Sequence, residues 1–115
     1  TSSSVAKAGA VFISAPAFAT EEDVGKVAAS GPVVNVAIGL VAAALSAATG
    51  HYSLALSSAL YFLALFNAWI AFFNLLPLPG LDGLKVARWK PLLHALLLIA
   101  SGGLLIGLYF RALLA

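Results

Sequence analysis

The sequence contains no cysteine and no methionine, and it carries very little charge. Without cysteine there is no disulfide framework and no thiolate metal site, so any metal would have to be held by imidazole or carboxylate. Imidazole is scarce too: only His51 and His94 are present. Charged residues make up 9% of the chain, against about 25% in an ordinary soluble domain. From Val27 to Leu81 there is no Lys, Arg, Asp or Glu. A soluble fold of 115 residues has too little polar surface to hide such a run. The net charge of +2 is small and the basic residues form no stripe, which argues against a nucleic-acid partner. A translated chain begins with methionine and this one begins with Thr1, so the expectation is a fragment or processed product of something longer.

What is present is apolar. The chain is 63% hydrophobic with a mean hydropathy of +1.07, and lipid is the solvent that suits it. The first long apolar stretch follows about thirty mixed residues and is followed by further apolar segments, which is the wrong order for a cleaved signal peptide. The expectation is an all-α integral membrane protein of about three transmembrane helices, with a short β-strand region near the amino terminus. Residues 1–30 read as a membrane-proximal loop and short strand, and 31–115 as the helical bundle. Val11, Phe12 and Ile13 favour a strand that Pro16 ends. Glu21, Glu22 and Asp23 read as a solvated loop or the first turn of a helix.

The first span is expected over about 32–48, opened by Ser30-Gly31-Pro32 and closed by Gly50. Such a helix is roughly 26 Å long, just adequate for a bilayer core. Gly39, Ala43 and Ala47 at four-residue spacing form a small face for close helix approach. The second span is expected over about 53–76, with its aromatics facing neighbours or lipid. The third runs over about 91–110 and carries Gly103 and Gly107, a weak G-x-x-x-G packing signal. Between the last two, Asn74–Gly83 (NLLPLPGLDG) breaks the helix, because Pro77 and Pro79 remove two amide donors. Lys7, Lys26, Lys85, Arg88 and Lys90 fall on one side of this arrangement and Arg111 on the other. That asymmetry predicts a cytoplasmic amino terminus and a cytoplasmic Asp82 loop.

Asp82 is the one carboxylate after residue 23. An acid near membrane depth is costly and ordinarily has a partner or a task, although Asp82 at headgroup level would simply be solvated. The string Asn74-x-x-Pro77-x-x-x-x-Asp82-Gly83 resembles the N-x-x-P-x-x-x-x-D-G signature of the site-2 protease family. FNLLPLPGLDG is similar to that family's phrasing, with a departure at Gly80, where proline is common. Asn67 is similar to another polar position on the same helix, and Gly31-Pro32-Val33-Val34-Asn35 resembles the family's G-P-x-x-N helix opening. The likeness covers most of residues 9–90.

The resemblance implies a zinc-dependent intramembrane endopeptidase that cuts transmembrane substrate helices. In that family two histidines and a general-base glutamate come from an H-E-x-x-H helix, and the third ligand is the D-G aspartate, here Asp82. Catalytic zinc takes three protein ligands and one water, whose pKa it lowers while polarising the scissile carbonyl. The resemblance implies for Asn74 a hydrogen bond to substrate or to the oxyanion; the other reading of Asn74 is a cap for carbonyls freed at the helix break. The short strand near Val11–Ile13 would, on this reading, hold unwound substrate by strand addition, or it is an ordinary surface strand.

This sequence departs from the family in having no H-E-x-x-H. His51 lies at the far end of the second span from Asp82, roughly 30 Å away, too far to share a metal. His94 lies on the correct side, as a ligand or, more ordinarily, as a hydrogen-bonding group within the bundle. One aspartate does not make a catalytic site, so the chain alone should be inactive. Either the H-E-x-x-H helix lies outside this chain, or the chain is a catalytically inactive membrane subunit or helix-binding scaffold of a larger complex. A channel reading has only Asn35 and Asn67 to line a polar cavity.

Overall fold

The structure, a computed structural model, describes residues 20–114. The expected strand around Val11–Ile13 lies outside them, and among the described residues there is no strand. Four helices follow in order: α1 (Glu21–Thr49), α2 (Leu54–Asn74), α3 (Asp82–Trp89) and α4 (Pro91–Leu114). Helices α1, α2 and α4 are each long and apolar enough to cross a membrane.

Helix α1 starts well before the expected opening at Ser30-Gly31-Pro32. Its amino end is a capping box: Thr20 Oγ1 accepts from Asp23 N–H at 3.1 Å, and the Asp23 carboxylate accepts from Thr20 N–H at 3.2 Å. Glu21, Glu22 and Asp23 fill the first turn, where the helix dipole favours negative charge. The acidic cluster is therefore a helix amino terminus. Pro32 sits inside the helix and is fully buried. An interior proline leaves the carbonyl four residues back, that of Ala28, without its helical donor. Tertiary packing on both sides of Pro32 offsets that loss: Gly25, Ala28 and Ala29 before it and Val36 and Gly39 after it are all buried. At 1.5 Å per residue α1 is about 44 Å long, more than a hydrocarbon core of about 30 Å. The hydropathy change near residue 30 marks a change in composition along α1, not the start of the helix.

A tight turn, with Tyr52 and Ser53 N–H both donating to Thr49 C=O at 3.0 Å, reverses the chain. Ser53 then caps α2 by accepting from Leu56 N–H at 3.1 Å. Helices α1 and α2 approach closely because small residues line both. Ala64, Ala68 and Ala71 of α2 are fully buried, and a Cβ on Gly39 would meet Leu104 Cδ2 at 2.8 Å and the Ala64 carbonyl at 3.4 Å. The small face on α1 is Gly39, Ala42 and Ser46, whereas Ala43 is half-buried and Ala47 exposed. The expected four-residue stripe is thus corrected to a three-four stripe, the period that follows a helix facing two neighbours. Gly103 and Gly107 pack against nothing among the described residues, so their G-x-x-x-G pair plays no part in this bundle.

The interior has two apolar clusters. One, at the end where the chain enters, joins Ala28 and Ala29 of α1, Leu75, Val86 of α3 and Leu97 of α4, with Trp89 packed against it. The other joins Ala42, Ala64, Ala68, Leu105 and Leu108. Phe62, Phe66, Trp69 and Phe73 of α2 and Leu92, Leu96, Ile99 and Ile106 of α4 are exposed. Surface of that kind is stable against lipid and not against water. Asn67 is buried, but its Nδ2 donates to Leu63 C=O at 2.9 Å, one turn back in its own helix, rather than lining a cavity.

Ser46 and Ser57 lock α1 to α2 through a reciprocal pair: Ser46 Oγ donates to Ser57 C=O at 2.6 Å and Ser57 Oγ to Ser46 C=O at 2.7 Å. Interhelical bonds of this type contribute on average about 0.6 kcal/mol, rising to about 1.7. Ser57→Ala is expected to lower the thermal midpoint in detergent by a few degrees and to leave helical content unchanged, as read by circular dichroism.

Candidate functional site around Asp82

The loop that carries Asp82 is shaped by two missing amide protons. Pro77 and Pro79 stand four residues after Phe73 and Leu75, so those two carbonyls lose their helical donors. Leu76 N–H takes the first, at 3.2 Å in a tightened last turn. The second is taken from outside: His94 Nε2, on α4, lies 2.7 Å from Leu75 C=O in a buried contact. A carbonyl cannot donate, so Nε2 carries the proton. His94 replaces the amide that Pro79 lacks, and the helix end is closed by Leu75, Leu76 and His94 rather than by the Asn74 side chain. The hydrogen-bonding reading of His94 stands, and the ligand reading loses the nitrogen already engaged.

Past the prolines the chain makes one more turn, with Leu81 N–H donating to Leu78 C=O at 3.1 Å. Pro79 and Gly80 are its central residues, and Gly80 has φ +88°. That pattern is a type II turn, which wants Pro then Gly. Proline, fixed near φ −65°, cannot occupy position 80 in this loop. The departure from the family's usual residue at Gly80 is therefore built into the turn geometry. Gly80→Pro is expected to reduce the yield of folded protein, whereas Gly80→Ala should cost about 1 kcal/mol; accumulation in membranes and thermal midpoint report the two.

Asp82 is the first residue of α3, a helix where sequence reading expected only loop. The helix is amphipathic: Gly83 and Val86 are buried, while Lys85 and Arg88 are exposed. Three contacts seat it. Gly83 lies so close to the end of α2 that a Cβ there would overlap the Leu75 and Leu76 carbonyls. Val86 is fully buried in the apolar cluster, and Trp89 fills the space that a side chain at Gly25 of α1 would need. Because α3 packs on the first turns of α1, Lys26, Lys85, Arg88 and Lys90 share one end of the bundle. Arg111 lies at the other, beside Ser46.

The Asp82 carboxylate is half-buried and faces Gly31, with Oδ2 4.0 Å from where a Cβ on that glycine would stand. The D-G element and the G-P-x-x-N element, far apart in sequence, thus meet in space. Asp82 stands at the first position of α3, where an acidic side chain is commonly found. Asn74 is half-buried at the last residue of α2, at the opposite end of the same loop. His51 is exposed in the α1–α2 turn, stacked on Tyr52 at 4.3 Å, at the far end of the bundle.

Among the described residues no three His, Cys, Asp or Glu side chains come together in a way that could hold a metal ion. Asp82 is a lone carboxylate, and the described residues do not fit a zinc ion by themselves. Sequence reading missed the α3 helix, the His94–Leu75 bond and the close seat of Gly83. The spacing Leu75-to-Pro79 was a usable signal for the second, since it predicts an orphaned carbonyl.

No family model matches the chain, and no solved structure matches it. Among curated proteins the chain is 38% identical over 92 residues to a Methanocaldococcus jannaschii protein provisionally named a zinc metalloprotease. The match takes in 76% of this chain and 45% of that protein, so the chain spans less than half the length of its relative. The three apolar helices and this likeness support a membrane protein related to zinc metalloproteases.

Proposed function

We propose that the chain is the carboxyl-terminal half of the core of a zinc-dependent intramembrane endopeptidase of the site-2 protease type. In this reading Asp82 is one metal ligand and the H-E-x-x-H helix lies outside this chain. The observation that carries it is the meeting of the Asp82 carboxylate with Gly31, which brings the two motif elements to one end of the bundle. The half-buried carboxylate is held on a short helix whose position is fixed by backbone contacts, as a metal ligand needs. Asn74, at the broken end of α2, is the proposed contact to substrate main chain or developing oxyanion. The substrate is a transmembrane helix entering between the spans, and the Asp82 end faces the cytoplasm, following the basic residues gathered there.

The absence of a three-donor cluster among the described residues favours a second reading, an inactive membrane subunit that keeps the fold. Zinc analysis of the intact protein separates the two. About one zinc per molecule, lost on Asp82→Ala, is the expected result; equal zinc with and without the aspartate would remove Asp82 from any metal site. His94→Gln should leave zinc unchanged while lowering the thermal midpoint, because the Leu75 carbonyl loses a well-placed donor at a cost of about 1–2 kcal/mol.

A further inference from the structure

Among the described residues Arg111 is a cation with no acidic side chain in reach. The chain's four acidic residues are Glu21, Glu22, Asp23 and Asp82, and all lie at the end of the bundle where α1 begins and α3 packs. Arg111 is half-buried in the last turn of α4, at the other end. Its guanidinium donates to Ser46 Oγ at 2.8 Å and lies over the Tyr61 ring, 5.2 Å from the centroid. Tyr61 is itself held by its hydroxyl, which donates to Leu108 C=O at 2.8 Å. These contacts fix the guanidinium in place. They do not neutralise it, since the Ser46 hydroxyl is neutral and already spends its proton on Ser57 C=O.

A cleft of about 310 Å³ opens beside this cation, lined by Arg111, Ser57, Ser58 and Tyr61 at its polar part and by Leu54 and Phe62 at its apolar part. Its depth in the bilayer follows from helix length. Residues 91–110 of α4 span about 30 Å, the thickness of a hydrocarbon core. With Pro91 at one surface, Arg111 reaches the headgroup level of the opposite leaflet. The anion in greatest supply at that level is the phosphate of a phospholipid, and a planar guanidinium binds phosphate through two parallel N–H donors. The apolar wall suits an acyl chain, which a free anion does not have.

We propose that Arg111, with Ser58 beside it and held in place by the Tyr61 ring, forms a binding site for the phosphate of an anionic phospholipid, whose acyl chain lies along Leu54 and Phe62. The site depends on the spanning arrangement and not on any metal role for Asp82. The lipid tethers α2 to α4 at the end where Ser46 and Ser57 tether α1 to α2, and supplies the negative charge that the sequence omits there.

Native mass spectrometry of the intact protein in mild detergent tests this, with phosphatidylglycerol, dioleoylglycerol and inorganic phosphate as probes. Phosphatidylglycerol is expected to bind the native protein about tenfold more tightly than Arg111→Ala, with Arg111→Lys in between. Dioleoylglycerol, which has the chains without the phosphate, should not bind above background. Millimolar inorganic phosphate should fail to displace the lipid. Ser101→Ala, which removes a buried hydrogen bond away from the cleft and no charge, should retain binding within about threefold. Equal affinity of the native and Arg111→Ala proteins overturns the proposal. So does loss of lipid in Ser101→Ala as complete as in Arg111→Ala, which would make the effect one of packing. Displacement by inorganic phosphate also overturns it, in favour of a free-anion site.

Discussion

Asp82→Asn in the intact protein is expected to reduce cleavage of a membrane-embedded substrate by more than about a hundredfold while leaving the fold in place. The asparagine is nearly isosteric and still suits a helix amino terminus, so α3 keeps its start. What is lost is charge. Near a helix end that charge contributes about 0.3–1 kcal/mol to stability, a shift of a few degrees at most in thermal midpoint. As the metal ligand of the proposed function it would contribute far more. Removing a group that merely orients a zinc ligand costs about 10- to 100-fold in affinity or activity, and removing the ligand itself should cost at least the upper figure. Activity and stability therefore part company at this position. The measurement is a paired one: cleavage of a tagged transmembrane substrate in membranes, and thermal unfolding of the purified protein. Undiminished cleavage by the asparagine protein would end the protease reading, and parallel loss of both would make Asp82 a structural residue.

Gly83→Val should behave in the opposite way, removing activity through the fold. The atoms that a side chain at position 83 would strike are the Leu75 and Leu76 carbonyls, which are main chain and cannot rotate aside. They cannot drift either, because Leu75 is fully buried and its carbonyl is held by His94. Overpacking of a fixed site costs about 1–3 kcal/mol for added methylenes. Here the obstruction is three backbone atoms of Leu75 and Leu76, so the valine protein is expected at or beyond the upper figure. Either α3 lifts off the end of α2 or the protein fails to accumulate. In the first case Val86 leaves the apolar cluster and Asp82 leaves Gly31, and both thermal midpoint and cleavage fall. Gly83→Ala, one methyl group, should show the same sign with a smaller effect. A Gly83→Val protein with native midpoint would show that α3 is not seated against α2 as described.

These two neighbours illustrate what the D-G pair does. Asp82 carries the carboxylate of the proposed site, and Gly83 lets the backbone come close enough to place it there. The reason is readable in neither residue alone, since it depends on a carbonyl eight positions earlier in sequence.

Much of the architecture follows from composition and order. A charge-free run from Val27 to Leu81, broken by a turn near Gly50, and a second apolar stretch after Pro91 lead to three helices long and apolar enough to cross a membrane. Pro77 and Pro79 dictate a broken helix between them, and the motif around Asp82 marks the candidate site. The true start of α1 was not legible in the same way. Hydropathy reports the solvent of each residue, and Glu21–Ala29 leave the apolar register while remaining helical through the Thr20 cap and their packing on α3.

Local sequence therefore determined the apolar character, the number of long apolar helices, the place of the break and the identity of the carboxylate, since each rests on short-range properties of the chain. Tertiary structure alone decided that residues 82–89 coil into a helix, that His94 rather than a backbone amide closes the end of α2, that Asp82 faces Gly31, and that Arg111 is pinned to Ser46. Each of those pairs a donor, a space or a charge with a partner many residues away, and only folding brings such partners within the few ångströms over which these forces act.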